Sequence, residues 1–145
     1  MLAKLFQRIP PAHRQFIAFC SVGLVGLIVD DGSLSILNRG LGLDPYTARL
    51  ISELAIAMTV TWLLNRSITF RNRRDQPLWQ EYLRFAAVNS VGNLANYAAY
   101  SGLIGYVSPF TQIPELAIPI GTAVGVAFNF TGSKYLVFRG VESTP

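Results

Sequence analysis

The sequence predicts an all-α membrane protein of four transmembrane helices, arranged as two parallel-repeat helical hairpins. Three observations predict it. First, in a chain that is 51% apolar and 14% charged, four stretches are nearly free of charge. They cover roughly 15–37, 46–65, 83–107 and 112–133, and each can cross a hydrocarbon core of about 30 Å. Second, the cations gather on one side of these stretches. Third, the chain repeats itself. Phe19, Gly26 and Asp30 return 66 positions later as Phe85, Gly92 and Asn96, and Trp62, Arg66, Phe70 and Arg71 return 68 positions later as Phe130, Lys134, Phe138 and Arg139. A soluble helical protein would carry polar stripes at helical spacing along every stretch. One domain over residues 1–145 is expected, with repeat 1 at about 14–71 and repeat 2 at about 80–139.

The elements follow in order. Residues 1–14 are basic and precede an apolar run, as in a signal peptide, but the run continues past Gly32 to Leu37 without a clear small-residue cleavage site. Bulky Phe19 before Cys20 opposes a lipoprotein site, and a lone cysteine gives no disulfide framework. Helix one is expected to begin at Gln15, after Pro10–Pro11. Asn38-Arg-Gly-Leu-Gly-Leu-Asp-Pro45 is a turn rich in breakers that leads into helix two. Asn72-Arg-Arg-Arg-Asp-Gln-Pro77 is the linker between the repeats, and Trp79 and Tyr82 suit an interfacial belt at the start of helix three. Ser108-Pro-Phe-Thr-Gln-Ile-Pro114 turns the second hairpin, and Pro119 near the start of helix four is a candidate kink.

Four spans place both termini and the linker on one side. That side holds Lys4, Arg8, Arg14, Arg66, Arg71, Arg73, Arg74, Arg84, Lys134 and Arg139; the other holds Arg39 and Arg49. This bias makes both termini cytoplasmic. The basic rim then faces anionic headgroups, and no basic domain stands outside the spans to serve a nucleic acid.

Polar residues inside the spans are the candidate path. Asp30 and Glu53 each lie about seven residues from the outer end of their helix, about 10 Å deep. Asp31 is adjacent to Asp30 but about 100° around the helix. Either these acids line an outward-opening polar cavity, or Asp30 pairs with Arg39 or Arg49 and serves structure. Asn89, Asn93 and Asn96 fall at i, i+4 and i+7 on one face of helix three, extended by Tyr97 and Tyr100. They suit the hydroxyls of a sugar, or they hold helices together. In helix four, Gly121 and Gly125 form a small-residue pair with Asn129 next on that face.

The helix ends carry the most specific signal. Repeat 1 closes with Thr61-Trp-Leu-Leu-Asn-Arg-Ser-Ile-Thr-Phe-Arg71, and repeat 2 with Asn129-Phe-Thr-Gly-Ser-Lys-Tyr-Leu-Val-Phe-Arg139. Arg66 and Lys134, supported by Arg71, Arg139 and Asn65, form a candidate site for a lipid phosphate; the alternative is a plain positive-inside anchor. A Walker motif, a Cys/His metal cluster and a nucleophile–base set are all missing from the sequence, and His13 stands alone. No catalytic residues, metal ligands or cofactors are therefore expected, and the chain is read as a non-enzyme.

Across residues 14–139 the chain resembles the GtrA family of small bacterial membrane proteins. The likeness rests on Phe19-x3-Gly23-x6-Asp30, its echo Phe85…Asn96, and the closing motifs Asn65-Arg66…Phe70-Arg71 and Asn129-Phe130…Phe138-Arg139. The repeats differ where Thr61 stands for Asn129 and Asn89 for Gly23. The resemblance implies cell-surface polysaccharide synthesis, with movement of a polyprenyl-phosphate-linked monosaccharide (undecaprenyl phosphate as the carrier) across the bacterial inner membrane. It also implies a membrane glycosyltransferase beside it. Two other readings stay open: a proton-coupled small-solute exporter and a non-transporting anchor for a glycosyltransferase. Four short helices enclose little volume, so a homo-oligomer, dimer or tetramer, is expected.

Overall fold

The computed structural model describes residues 10–71 and 76–138. All regular structure among them is helical. The chain divides into two compact units. One holds α1 (Pro11–Gly40) and α2 (Pro45–Thr69); the other holds α3 (Leu78–Tyr106) and α4 (Pro114–Val137).

α1 begins at Pro11, four residues before the expected Gln15. Pro10 stands at the cap and Pro11 in the first turn, where the missing N–H costs nothing. The helix ends in a turn widened to i→i+5 hydrogen bonding, with the Leu41 N–H on Ile36 O at 3.0 Å. Gly42, at φ 71°, then takes the left-handed conformation that a residue with a Cβ resists. The Asn38 side-chain amide ties the turn to Leu43 O at 2.8 Å.

α2 starts at an acidic cap. The Asp44 carboxylate accepts the backbone N–H groups of Tyr46 and Thr47 at 3.2 and 3.0 Å, and Pro45 occupies the first turn. Hydrogen bonds from Thr47, side chain first and then backbone, hold the Asp44 carboxyl below its ordinary range. A second widened segment, Ile51–Ala57, interrupts α2.

Within each unit an aromatic pair joins the helices. Phe19 meets Phe70 edge-on at 6.4 Å between ring centres, and Phe85 meets Phe138 at 6.2 Å. Buried surface is scarce elsewhere and carries many polar groups. Ser52, Asn65, Thr69 and Ser133 are buried, whereas Leu24, Leu27 and Ile28 are exposed. Water would not tolerate such a continuous apolar exterior, and lipid would.

Among the described residues, three helices, not the expected four, are long and apolar enough to cross a membrane: α1, α2 and α4. α3 has the length, at 29 residues. Its apolar content falls short because Asn89, Asn93, Asn96, Tyr97 and Tyr100 sit in its middle and Glu81 and Arg84 near its start. The chain is thus a multi-pass helical membrane protein. Arg139, with Lys4, Arg8, Arg73, Arg74 and the linker positions 72–75, lies outside the described residues.

Candidate functional site

Both repeats end in the same local geometry. α2 finishes in a widened turn over Asn65–Thr69 and α4 in one over Ser133–Val137. The closing bonds run from the Phe70 N–H to Asn65 O at 2.8 Å and from the Phe138 N–H to Ser133 O at 2.9 Å. An i→i+5 turn admits an extra residue and rotates the next side chains around the helix axis. The phenylalanine after it lands against Phe19 in one unit and Phe85 in the other.

The cation of each motif lies over aromatic rings. The Arg66 guanidinium is 6.0 Å from the Trp62 ring centre. The Lys134 ammonium is 6.0 Å from Phe130 and 5.4 Å from Tyr135. Such contacts are worth about 0.5–1 kcal/mol when exposed and orient the charge as well. Beside each cation stands a buried polar atom without a hydrogen-bond partner among the described residues: Asn65 Oδ1 before Arg66, and Ser133 Oγ before Lys134. Asn65 is 3% exposed and Ser133 is fully buried. Thr69 Oγ1, one turn beyond Asn65, is likewise buried and unpaired. Each orphan costs free energy, and the two repeats keep one at the same position of the motif, directly before the cation. Arg71 is exposed at the end of the first motif.

The glycine–polar pairs inside the hairpins match as well. A Cβ on Gly26 would run into the Thr61 side chain, and one on Gly92 into the Asn129 amide. Gly121 and Gly125 admit Asn96: built Cβ atoms there would stand 2.6 Å from Asn96 Oδ1 and 2.9 Å from Asn96 Cβ. Asn129 Oδ1 is buried and has no hydrogen-bond partner among the described residues. The three asparagines of α3 therefore have different surroundings. Asn96 packs on α4, Asn89 donates its amide to Phe85 O at 2.8 Å, and Asn93 is exposed.

At the other end of the first hairpin the acids form a network. Arg49 reaches Asp30 Oδ2 at 2.9 Å and Glu53 at 3.3 Å. The Ser52 hydroxyl lies within bonding distance of the Asp30 carboxylate and of Asp30 O, and Ser33 Oγ stands 2.9 Å from it. Asp30 and Glu53 thus meet through one arginine, while Asp31 is exposed. The sequence offered Arg39 or Arg49 as the partner of Asp30, and the structure selects Arg49. It also adds Ser33 and Ser52, whose spacing gave no signal because serine is common in apolar helices. Glu81, buried at 1% exposure in α3, was not singled out either. Among the described residues, no group of three or more His, Cys, Asp or Glu side chains is placed to hold a metal.

The family model described as GtrA/DPMS, transmembrane domain, matches residues 18–141. No curated protein matches the chain. Two hairpins closed by the same aromatic pair and the same cationic turn are thus set within a match that covers both repeats, and the chain belongs to the GtrA/DPMS transmembrane-domain family, membrane proteins of glycosylation pathways.

Proposed function

We propose that this protein moves a polyprenyl-phosphate-linked monosaccharide across the bacterial inner membrane for cell-surface polysaccharide synthesis. The observation that carries the reading is the matched pair of widened turns, each presenting a ring-held cation beside a buried, unsatisfied polar atom. A lipid phosphate supplies the charge and the acceptor oxygens that such a turn can hold through Arg66 or Lys134, with the buried Asn65 amide lying beneath the first of them. The residues Asp30, Glu53, Asn89, Asn93, Asn96 and Asn129 then serve the sugar, whose hydroxyls need partners inside the bilayer. α3 is the fourth span in this reading, both termini are cytoplasmic, a membrane glycosyltransferase supplies the substrate, and the protein works as a homo-oligomer.

Reconstitution in liposomes with a labelled polyprenyl-phosphate sugar tests it. Wild type should move label between leaflets. Arg66→Ala and Lys134→Ala should each weaken lipid-phosphate binding about tenfold, the loss of roughly one charge-assisted hydrogen bond. Label that stays in its starting leaflet with wild type would reduce the chain to a membrane anchor.

A further inference from the structure

The second hairpin carries a groove of about 640 Å³ on one side of its helix pair. Ala87, Val88 and Val91 of α3 form one wall, and Ala127, Thr131 and Gly132 of α4 the other, with Tyr135 at the end toward Lys134. Its lining is almost wholly apolar. It extends along α4 from Leu136 to Ala127, nine residues or about 14 Å. Gly132 makes the floor, because a Cβ there would stand 2.6 Å from Val88 Cγ1.

The duplication supplies an internal control. Sixty-eight positions before Thr131 and Gly132 stand Leu63 and Leu64. Val88 has its counterpart in Val22 and Val91 in Val25, so both valines recur while the small residues facing them are replaced by leucines in the first hairpin. The second hairpin thus departs from the repeat along its groove, with two smaller residues, Thr131 and Gly132, where the other copy has leucines.

We propose that this groove receives the isoprenoid chain of a polyprenyl phosphate, at the segment next to the phosphate, with Lys134 at its mouth holding the charge. The Lys134 ammonium lies 5.4 Å from the Tyr135 ring, and Tyr135 is itself part of the lining. Apolar hollow and cation are therefore joined in one place, which is the complement of a single-chain anionic lipid. The groove is a single furrow about 14 Å long, which suits one isoprenoid chain leading from one phosphate. This assignment rests on reading the protein as a carrier of polyprenyl-phosphate lipids, and it names where the lipid is held.

Native mass spectrometry of the purified full chain with undecaprenyl phosphate and, separately, phosphatidylglycerol tests it without requiring transport. Val91→Trp and Thr131→Leu should each weaken undecaprenyl phosphate binding at least tenfold. Val25→Trp, the matched position of the first hairpin, should leave it unchanged and guards against a general effect of bulk. Lys134→Gln should weaken binding with the groove intact. Full binding by both Val91→Trp and Thr131→Leu would overturn the assignment, whether or not the protein flips lipid. Equal wild-type affinity for phosphatidylglycerol would overturn the choice of occupant. Loss of oligomer in Val91→Trp with lipid binding intact would give the groove to a second copy instead. Wild type that binds through the groove yet moves no lipid in liposomes would sink the flipping reading and leave the groove standing.

Discussion

Asp44 and Asp30 show how differently two aspartates are held within one hairpin. Asp44 is fully exposed and caps α2, with its carboxyl kept below the usual range by the Thr47 hydrogen bonds. A depressed pKa contributes stability above the unfolded value and loses it as pH falls through the folded one. Asp44→Ala should therefore lower the thermal midpoint at neutral pH, and that deficit should shrink as the pH is taken below the ordinary carboxylate range. An unchanged deficit at low pH would mean that the cap acts without its charge. Asp30 is instead paired with Arg49, whose side chain is half exposed. A double-mutant cycle of Asp30→Asn with Arg49→Gln should give a coupling of about 1 kcal/mol if water reaches the pair through the half-exposed arginine, Asp30 itself being 14% exposed. A coupling of several kcal/mol would mean that the network is sealed from water. The acids were legible in the sequence as ionisable groups at one depth. Their arginine was one of two offered, since sequence gives depth along a helix more readily than the rotation that selects a partner.

Helix contact in each hairpin depends on a few glycines, and the structure separates those that matter from those that do not. Gly23 has open space around it, whereas Gly92 receives the Asn129 amide. Gly23→Ala should raise helix stability by up to about 1 kcal/mol, because alanine is the better helix former. Gly92→Ala should cost about 1–3 kcal/mol through overpacking, and Gly92→Ala with Asn129→Ala should recover most of it. Thermal unfolding in detergent reads all three. Equal effects at Gly23 and Gly92 would deny the close approach. The repeat pattern made the echo of Gly26 in Gly92 visible, and likewise that of Thr61 in Asn129. That each glycine receives the polar residue of its own partner helix was not visible, because it needs the register between helices. The asparagine stripe shows the same limit. Periodicity put Asn89, Asn93 and Asn96 on one face, but Asn96 packs on α4, Asn89 turns back to Phe85 O and Asn93 is exposed. The widened turns were also hidden, since no residue pattern marks an i→i+5 bond.

At the scale of the molecule the open point is whether α3 crosses the membrane, because its middle is too polar to be recognised as a span. Packing within the second hairpin answers from one side. Gly92 and Asn96 of α3 touch Asn129, Gly121 and Gly125 of α4. A helix joined to α4 over that length shares its depth, and α4 is apolar enough to cross. The polar residues that lower the hydropathy of α3 include the one that α4 covers. Charge answers from the other side. Were α3 to lie on the inner surface, α4 would run outward and carry Lys134 to the face opposite Arg66, against the positive-inside bias. We therefore expect four crossings, with Leu41 and Tyr106 on the outer face and Leu78 on the inner. In a Cys20→Ser background, Leu41→Cys and Tyr106→Cys should react with a membrane-impermeant maleimide on spheroplasts, since both side chains are largely exposed. Leu78→Cys should react only after permeabilisation, and a reporter fused after Pro145 should read as cytoplasmic. Labelling of Tyr106→Cys and Leu78→Cys from the same face would reduce the chain to three crossings. The two cationic turns would then face opposite leaflets, and a shared role in capturing phosphate on one side of the membrane would fall with the fourth span.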